Sequence, residues 1–402
     1  MSDAAVDPAR TIAIELDVLR GVAALLMIAN HAGYRLLPPD LPSGSVGAAM
    51  VFIGSFAPVV FFFATGFGIG LSTARASRPA TLWPVLWKAL LLVLADQFFY
   101  WRGGVSWGMD FFGFIALSSV AVTLVARLRR PALACAVLIF VLIVVRYGFG
   151  SLLRAHVHTG GWIDWLIGVH GVKNMSYPLC PWMAFPLLGF VLGRQYDTLS
   201  DASPARRDRW LIRGAVLAAC LFLLGGLFAR LGLPFFRWGI VSGAYFELAL
   251  GIVLAAGLAA VMLVRSLPAM SKALALRGVA SFAVIPIHYA LLDVYSTAFA
   301  TPVAFWQYAL LFLLIAAIAF RASAVCAAWV TSPGFLRLRA AAPLLLAAVC
   351  GSALALWLAA PNAWATAALV LVAQLAVAAL LGQRVGKQRV EVLASLQTPL
   401  ST

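Results

Sequence analysis

The run VGAAMVFIGSFAPVVFFFATGFGIGLS, from Val46 to Ser72, decides the fold. It holds 27 residues without a charged side chain, and a helix needs only about 20 apolar residues to cross the hydrocarbon of a bilayer. Runs of the same character recur along the chain. Windows of about 20 residues place helices near 16–36, 46–72, 83–101, 108–127, 132–150, 175–194, 211–230, 240–264, 277–298, 303–321, 341–360 and 363–382. The third and sixth are interrupted, by Asp96 and by Pro178, Pro181 and Pro186. No series of short alternating strands of the kind a membrane barrel needs is visible. The expected fold is all-α, a polytopic membrane bundle of 10–12 helices.

Composition says the same. Of 402 residues, 63% are hydrophobic and 11% charged, and the mean hydropathy is +0.99. Soluble chains run near 45–50% apolar and about 25% charged. A water-soluble core of this size cannot hide the excess. Soluble enzymes, disordered chains and disulfide scaffolds are excluded. Cys135, Cys180, Cys220, Cys326 and Cys350 form no CxxC pair, so no disulfide or metal framework is expected.

The net charge of +15 would suggest nucleic acid in a soluble protein. Here the cations sit in short loops between spans, where orientation signals belong, so no nucleic acid is expected. Under the twelve-span count, 21 of the 29 Lys and Arg fall on one side, and Arg35, Arg102, Arg154, Lys173, Arg230 and Arg237 fall on the other. Positive-inside then puts both termini in the cytoplasm. The polar N-terminal tail runs straight into the first span, which predicts no cleavable signal peptide. The expected organisation is a cytoplasmic tail at 1–15, a transmembrane domain at 16–321, additional helices at 322–382 and a cytoplasmic tail at 383–402. The longest outer connection, 151–174, carries His156, His158, Trp162, Trp165 and His170. Interfacial tryptophan is the ordinary explanation for its indoles, although a loop of that length also helps to wall a site.

Ionisable residues inside spans are costly and point to function. The first helix reads Glu15-Leu16-Asp17-Val18-Leu19-Arg20-Gly21 and later Asn30-His31. Arg20 and His31 are eleven residues apart, about 16 Å along a helix, and project from nearly one face. One face thus carries a cation near the cytoplasmic end and an imidazole in the outer half. The residues alone leave two readings open, a functional pair or a snorkelling Arg with a packed His. After the second span, Arg75 and Arg78 are spaced to clamp phosphates, which guanidinium forks match; they also fit an orientation signal. Gly66, Gly68 and Gly70 allow close approach of a helix or a ligand. In the ninth span Pro286 should kink the helix beside His288, with Asp293 a turn beyond. Asp96 and Glu247 are acids in apolar spans and should pair with an Arg or His.

With these residues in view, the chain resembles the acyltransferase-3 family and its wider transmembrane acyltransferase superfamily. Leu16 through His31 resembles the opening of that family, with Arg20 and His31 at its Arg–His spacing. Phe62-Phe63-Ala64-Thr65-Gly66-Phe67 is similar to its Phe-Phe-x-x-Ser-Gly-Phe signature, with Thr65 in place of Ser. Arg75 to Arg78 matches its Arg-x-x-Arg element. Ser281 through His288 is similar to its Ser-Tyr-x-x-Tyr-x-x-His helix, with Phe282 and Ile285 replacing the tyrosines. The stretch from Pro178 to Arg194 resembles the branch related to heparan-alpha-glucosaminide N-acetyltransferase.

The resemblance implies a membrane-embedded acyltransferase that takes an acyl group, acetyl being expected, from cytoplasmic acyl-CoA. The implied acceptor is a hydroxyl or amine of a carbohydrate, glycolipid or other glycoconjugate on the outer side, and no metal is needed. It assigns catalysis to His31 and Arg20, donor binding to Arg75 and Arg78, and support to Asp17, Asn30, Thr65 and His288. His31 could act as general base or as acylated nucleophile. The expected partners are acyl-CoA, the acceptor and the lipid bilayer, with a homodimer allowed; the expected location is a bacterial inner membrane. The rival class is a proton-coupled transporter with His31, Asp96, Glu247 and Asp293 as relay. Twelve spans suit it, but no internal repeat is visible, which weighs against an inverted-repeat architecture.

Overall fold

The computed structural model describes residues 14–42, 44–75, 82–102, 105, 107–150, 162–168, 174–200, 203–231, 242–299, 301–337, 341–358 and 363–397. Among them no strand forms beyond an isolated bridge between Met109 and Met175. The helices are α1 (Ile14–Leu36), α2 (Val46–Gly54), α3 (Ala57–Arg75), α4 (Leu82–Arg102), α5 (Phe111–Ala126), α6 (Pro131–Ile143), α7 (Trp162–Ile167), α8 (Leu179–Trp182) and α9 (Ala184–Ser200). They continue with α10 (Pro204–Arg230), α11 (Gly243–Ser266), α12 (Pro268–Leu274), α13 (Ala280–Ala298), α14 (Phe305–Val330), α15 (Pro333–Arg337), α16 (Ala341–Leu358) and α17 (Ala363–Gln397). Among the described residues eight stretches are long and apolar enough to cross a membrane, counting α2–α3 as one and α6 with the π turn Val144–Gly148 that continues it. The shorter apolar α5 and α16, with α9 and α13, occupy the remaining windows read from the sequence. The protein is an all-α polytopic membrane protein. Its outward side chains fit a lipid surround: Phe140 on α6, Leu223 on α10 and Leu344 on α16 are about two-thirds exposed or more.

Two windows hold breaks. Residues 46–72 form two helices, because Pro58 lacks the N–H that would continue the ladder to Gly54. At the second position of α3 that missing donor would have no partner anyway. Ser55 closes the first helix by donating to the Phe52 carbonyl at 2.6 Å. Residues 175–194 likewise divide into the single turn α8 and the longer α9, at the prolines that interrupt the sequence pattern.

The described parts of the chain form two compact units. The first comprises Met1–Ala23, Phe56–Val93 and Gly108–Ala275. Its centre is the pair α3–α9. A Cβ at Gly66 would strike the Pro186 carbonyl and one at Gly70 the Phe190 carbonyl, while one at Gly189 would strike the Phe63 carbonyl and one at Gly193 the Phe67 carbonyl. Two small-xxx-small rows therefore face each other and bring the backbones into contact. Around them Phe62 packs against Phe111, Phe114, Tyr177 and Trp182 at ring separations of 4.4–5.9 Å. An antiparallel pair follows from α10 and α11, with Gly214 beside Leu258 and Gly225 beside Leu248.

The second unit comprises Ala24–Ser55, Leu94–Trp107 and Leu276–Thr402. Gly54 lets α2 close on the Leu26 carbonyl and Asn30 of α1. Tyr308 of α14, fully buried, donates to the Ala29 carbonyl at 2.9 Å. Gln374 of α17 donates to the Ala95 carbonyl at 3.0 Å, and Gly382 makes room for Val330 and Val279. The C-terminal half of α1 is thus fixed from several directions.

Candidate functional site

A chain of three polar side chains runs through the second unit. His288 is fully buried on α13, and its Nδ1 lies 3.0 Å from the Val284 carbonyl one turn back. A carbonyl oxygen only accepts, so Nδ1 carries the hydrogen. In the neutral ring Nε2 is then an acceptor, and it lies 2.9 Å from His31 Nδ1, which must donate to it. That leaves His31 Nε2 with its lone pair, and the Tyr289 hydroxyl donates to it at 3.2 Å. The order is Tyr289 O–H to His31, His31 N–H to His288, His288 N–H to the backbone. The rings reinforce the order: His31 and His288 stack with centroids 5.2 Å apart at 11°, and Tyr289 lies 4.7 Å from His31 and 4.6 Å from His288. Phe99 of α4 also packs against Tyr289, with ring centroids 5.1 Å apart.

This arrangement fixes the tautomer of His31 through the group behind it, as an imidazole base requires. The Nε2 lone pair points at a hydroxyl, the Tyr289 O–H. Asn30, beside His31, donates through Nδ2 to the Val51 carbonyl at 2.8 Å and holds α1 to α2. One turn further along α1, Arg35 pairs with Asp293 of α13 at 2.9 Å, the carboxylate being almost fully buried. That ion pair and the imidazole contact together lock the two helices that carry the chain.

Asp17, Arg20, Thr65 and Arg75 lie in the first unit. Arg20 donates to Asp17 at 3.0 Å, one turn back on α1, and Gly68 of α3 leaves space at its guanidinium. Thr65 donates to the Phe61 carbonyl at 2.9 Å within its own helix. Arg75 engages Asp197 of α9 through Nε at 2.6 Å, a partner the sequence did not suggest. Its two terminal nitrogens remain available to donate. Arg78, His156, His158 and His170 lie outside the described residues. Asp96 is fully buried on α4 and Glu247 half-buried on α11. Of the assigned residues, the structure brings His31 and His288 into direct contact and joins Arg20 to Asp17. Tyr289 is the participant that sequence reading missed; its only signal is its place next to His288.

Apolar helices that hold an ordered chain of polar side chains define an all-α multi-pass membrane protein. Residues 13–219 match the family described as heparan-alpha-glucosaminide N-acetyltransferase, catalytic. The match covers just over half of the 402 residues, and the chain belongs to that family. It extends far beyond the Pro178–Arg194 stretch that carries the resemblance in sequence, and it includes Arg20, His31 and Arg75. No curated protein matches the chain.

Proposed function

We propose that this protein transfers an acetyl group from cytoplasmic acetyl-CoA to a hydroxyl or amine of a carbohydrate or glycoconjugate on the outer side of the membrane, with His31 as general base. The observation that carries the reading is the hydrogen-bond order that leaves the lone pair of His31 Nε2 facing a hydroxyl. In the reaction the acceptor oxygen or nitrogen attacks the thioester carbonyl and forms the new bond to carbon. Its proton passes to His31 Nε2. The C–S bond breaks, and the thiolate of CoA takes that proton as it leaves. His288 positions the ring and spreads the positive charge that develops on it. Tyr289 holds the place of the acceptor hydroxyl before the substrate arrives.

Arg20, Arg75 and Arg78 serve the donor phosphates, through charge-assisted bonds of the kind guanidinium makes best. The Arg75–Asp197 pair aims that guanidinium and leaves two nitrogens for phosphate. Family membership supports acetyl as the group and an amino sugar as one acceptor class. The termini are cytoplasmic in this reading, and the segments proposed from the sequence, a catalytic bundle at 16–321 and added helices at 322–382, stand with it.

The test uses purified protein in detergent with acetyl-labelled CoA and a pool of membrane glycoconjugates. Labelled acceptor together with free CoA is the expected result. No consumption of acetyl-CoA with any acceptor would overturn the reading. A label retained on the protein and chased onto acceptor would make His31 the nucleophile instead of the base.

A further inference from the structure

At the junction of α9 and α10, within the first unit, lies a cavity of about 580 Å³ lined by Gln195, Thr198, Leu199, Arg206, Arg209, Trp210 and Arg213. Arg206, Arg209 and Arg213 are spaced three and four residues apart on α10 and therefore share one helix face. Like charges at that spacing repel, so the row costs stability unless something anionic sits against it. Among the described residues the neighbouring acids are engaged elsewhere: Asp197 with Arg75 at 2.6 Å and Asp208 with Arg265 at 3.7 Å. Among the described residues, none of the three guanidiniums has a carboxylate within ion-pair distance. Positive-inside orientation asks only for cations in the loop. It does not ask for three of them around one cavity with a half-buried indole.

That indole is itself placed. Trp210 is backed by Tyr196 at a ring separation of 6.5 Å, and Tyr196 by Phe67 of α3 at 5.6 Å. We propose that the Arg206–Arg209–Trp210–Arg213 cavity is the seat of the phosphorylated nucleotide end of the acyl donor. The flat base lies on Trp210, and the phosphates are held by the arginine row. Arginine forks match phosphate oxygens in pairs, and an indole offers the face on which a base stacks. Asp197, which aims Arg75, lies between Gln195 and Thr198 in the sequence of the cavity wall. The Arg75–Asp197 pair thus ties α3 to the helix that forms this wall. The inference rests on acyl-CoA being the donor.

The test measures binding of adenosine 3′,5′-bisphosphate to the full-length protein in nanodiscs of zwitterionic lipid, alongside the KM for acetyl-CoA. Arg209→Ala with Arg213→Ala should weaken the nucleotide at least ten-fold and raise the KM by a similar factor, with kcat little changed. Trp210→Ala should weaken the nucleotide but leave pyrophosphate binding unchanged, whereas Trp210→Phe should retain most of the affinity. Circular dichroism and elution volume confirm that each variant is folded. If acetyl transfer runs normally and the variants leave nucleotide affinity and KM unchanged, the cavity proposal falls while the donor reading stands. If the cavity binds nucleotide but acetyl-CoA is never consumed, the donor reading falls and the proposal with it. If added phosphatidylglycerol displaces the nucleotide and the Trp210 variants have no effect, the cavity is a lipid-headgroup site and the proposal is overturned.

Discussion

Two imidazoles 2.9 Å apart look alike in sequence, yet the hydrogen-bond order gives them different duties. Toward His31, His288 serves as an acceptor, so a glutamine carbonyl can replace it in that contact. His288→Gln should therefore retain most of kcat, and His288→Ala should lose about 10²–10⁴-fold, the range of general-base contributions. Steady-state rates of the two purified variants decide this; equal losses would mean that His288 takes part in proton transfer itself. Tyr289→Phe removes the hydroxyl that occupies His31 Nε2 before substrate binds, and it should lower kcat by no more than about ten-fold. A loss as deep as that of a histidine variant would make Tyr289 a proton carrier. The sequence placed His31 and His288 because imidazoles inside apolar spans are rare and costly. It could not place Tyr289, since tyrosine is at home in a membrane helix for many reasons. Nor could it pair Arg35 with Asp293, because no local spacing encodes a contact across 258 residues.

At the level of helices, the apolar windows predict length and order well, because twenty apolar residues in lipid have little choice but a helix. The break after Gly54 escaped that reading. It depends on a missing side chain against α1 and on the donor that Pro58 lacks, and hydropathy registers neither. The glycines of α3 left helix and ligand open as partners; Gly66 and Gly70 proved to meet α9, while Gly68 faces Leu16 and Arg20. Gly66→Val should overpack the α3–α9 contact and lower stability by about 1–3 kcal/mol, read as a fall in thermal midpoint in detergent. Gly226→Ala, on an open face of α10 with nothing near a Cβ, should leave the midpoint unchanged or raise it slightly. The Arg35–Asp293 pair joins α1 to α13 with its arginine partly exposed. Its coupling in a double-mutant cycle of Arg35→Ala and Asp293→Asn should be about 1 kcal/mol, at the upper end of solvent-accessible pairs.

For the whole molecule, the distribution of cations predicts the orientation. Ser203→Cys should react with an impermeant thiol reagent only from the cytoplasmic face, and Gly160→Cys only from the outer face; the reverse pattern would invert the topology. Acyl-CoA would then meet Arg75 and the arginine row of α10 from the side on which it is made. The central claim is narrower and rests on one nitrogen. His31→Gln keeps a side chain that hydrogen-bonds but carries no titratable base, so the variant should fold, insert and bind donor as the parent does. Its rate of acetyl transfer from acetyl-CoA, measured on purified protein against the parent, should fall by at least about a hundred-fold. Transfer by His31→Gln at near the parental rate would contradict the account and return the imidazole to packing or to a transporter's relay.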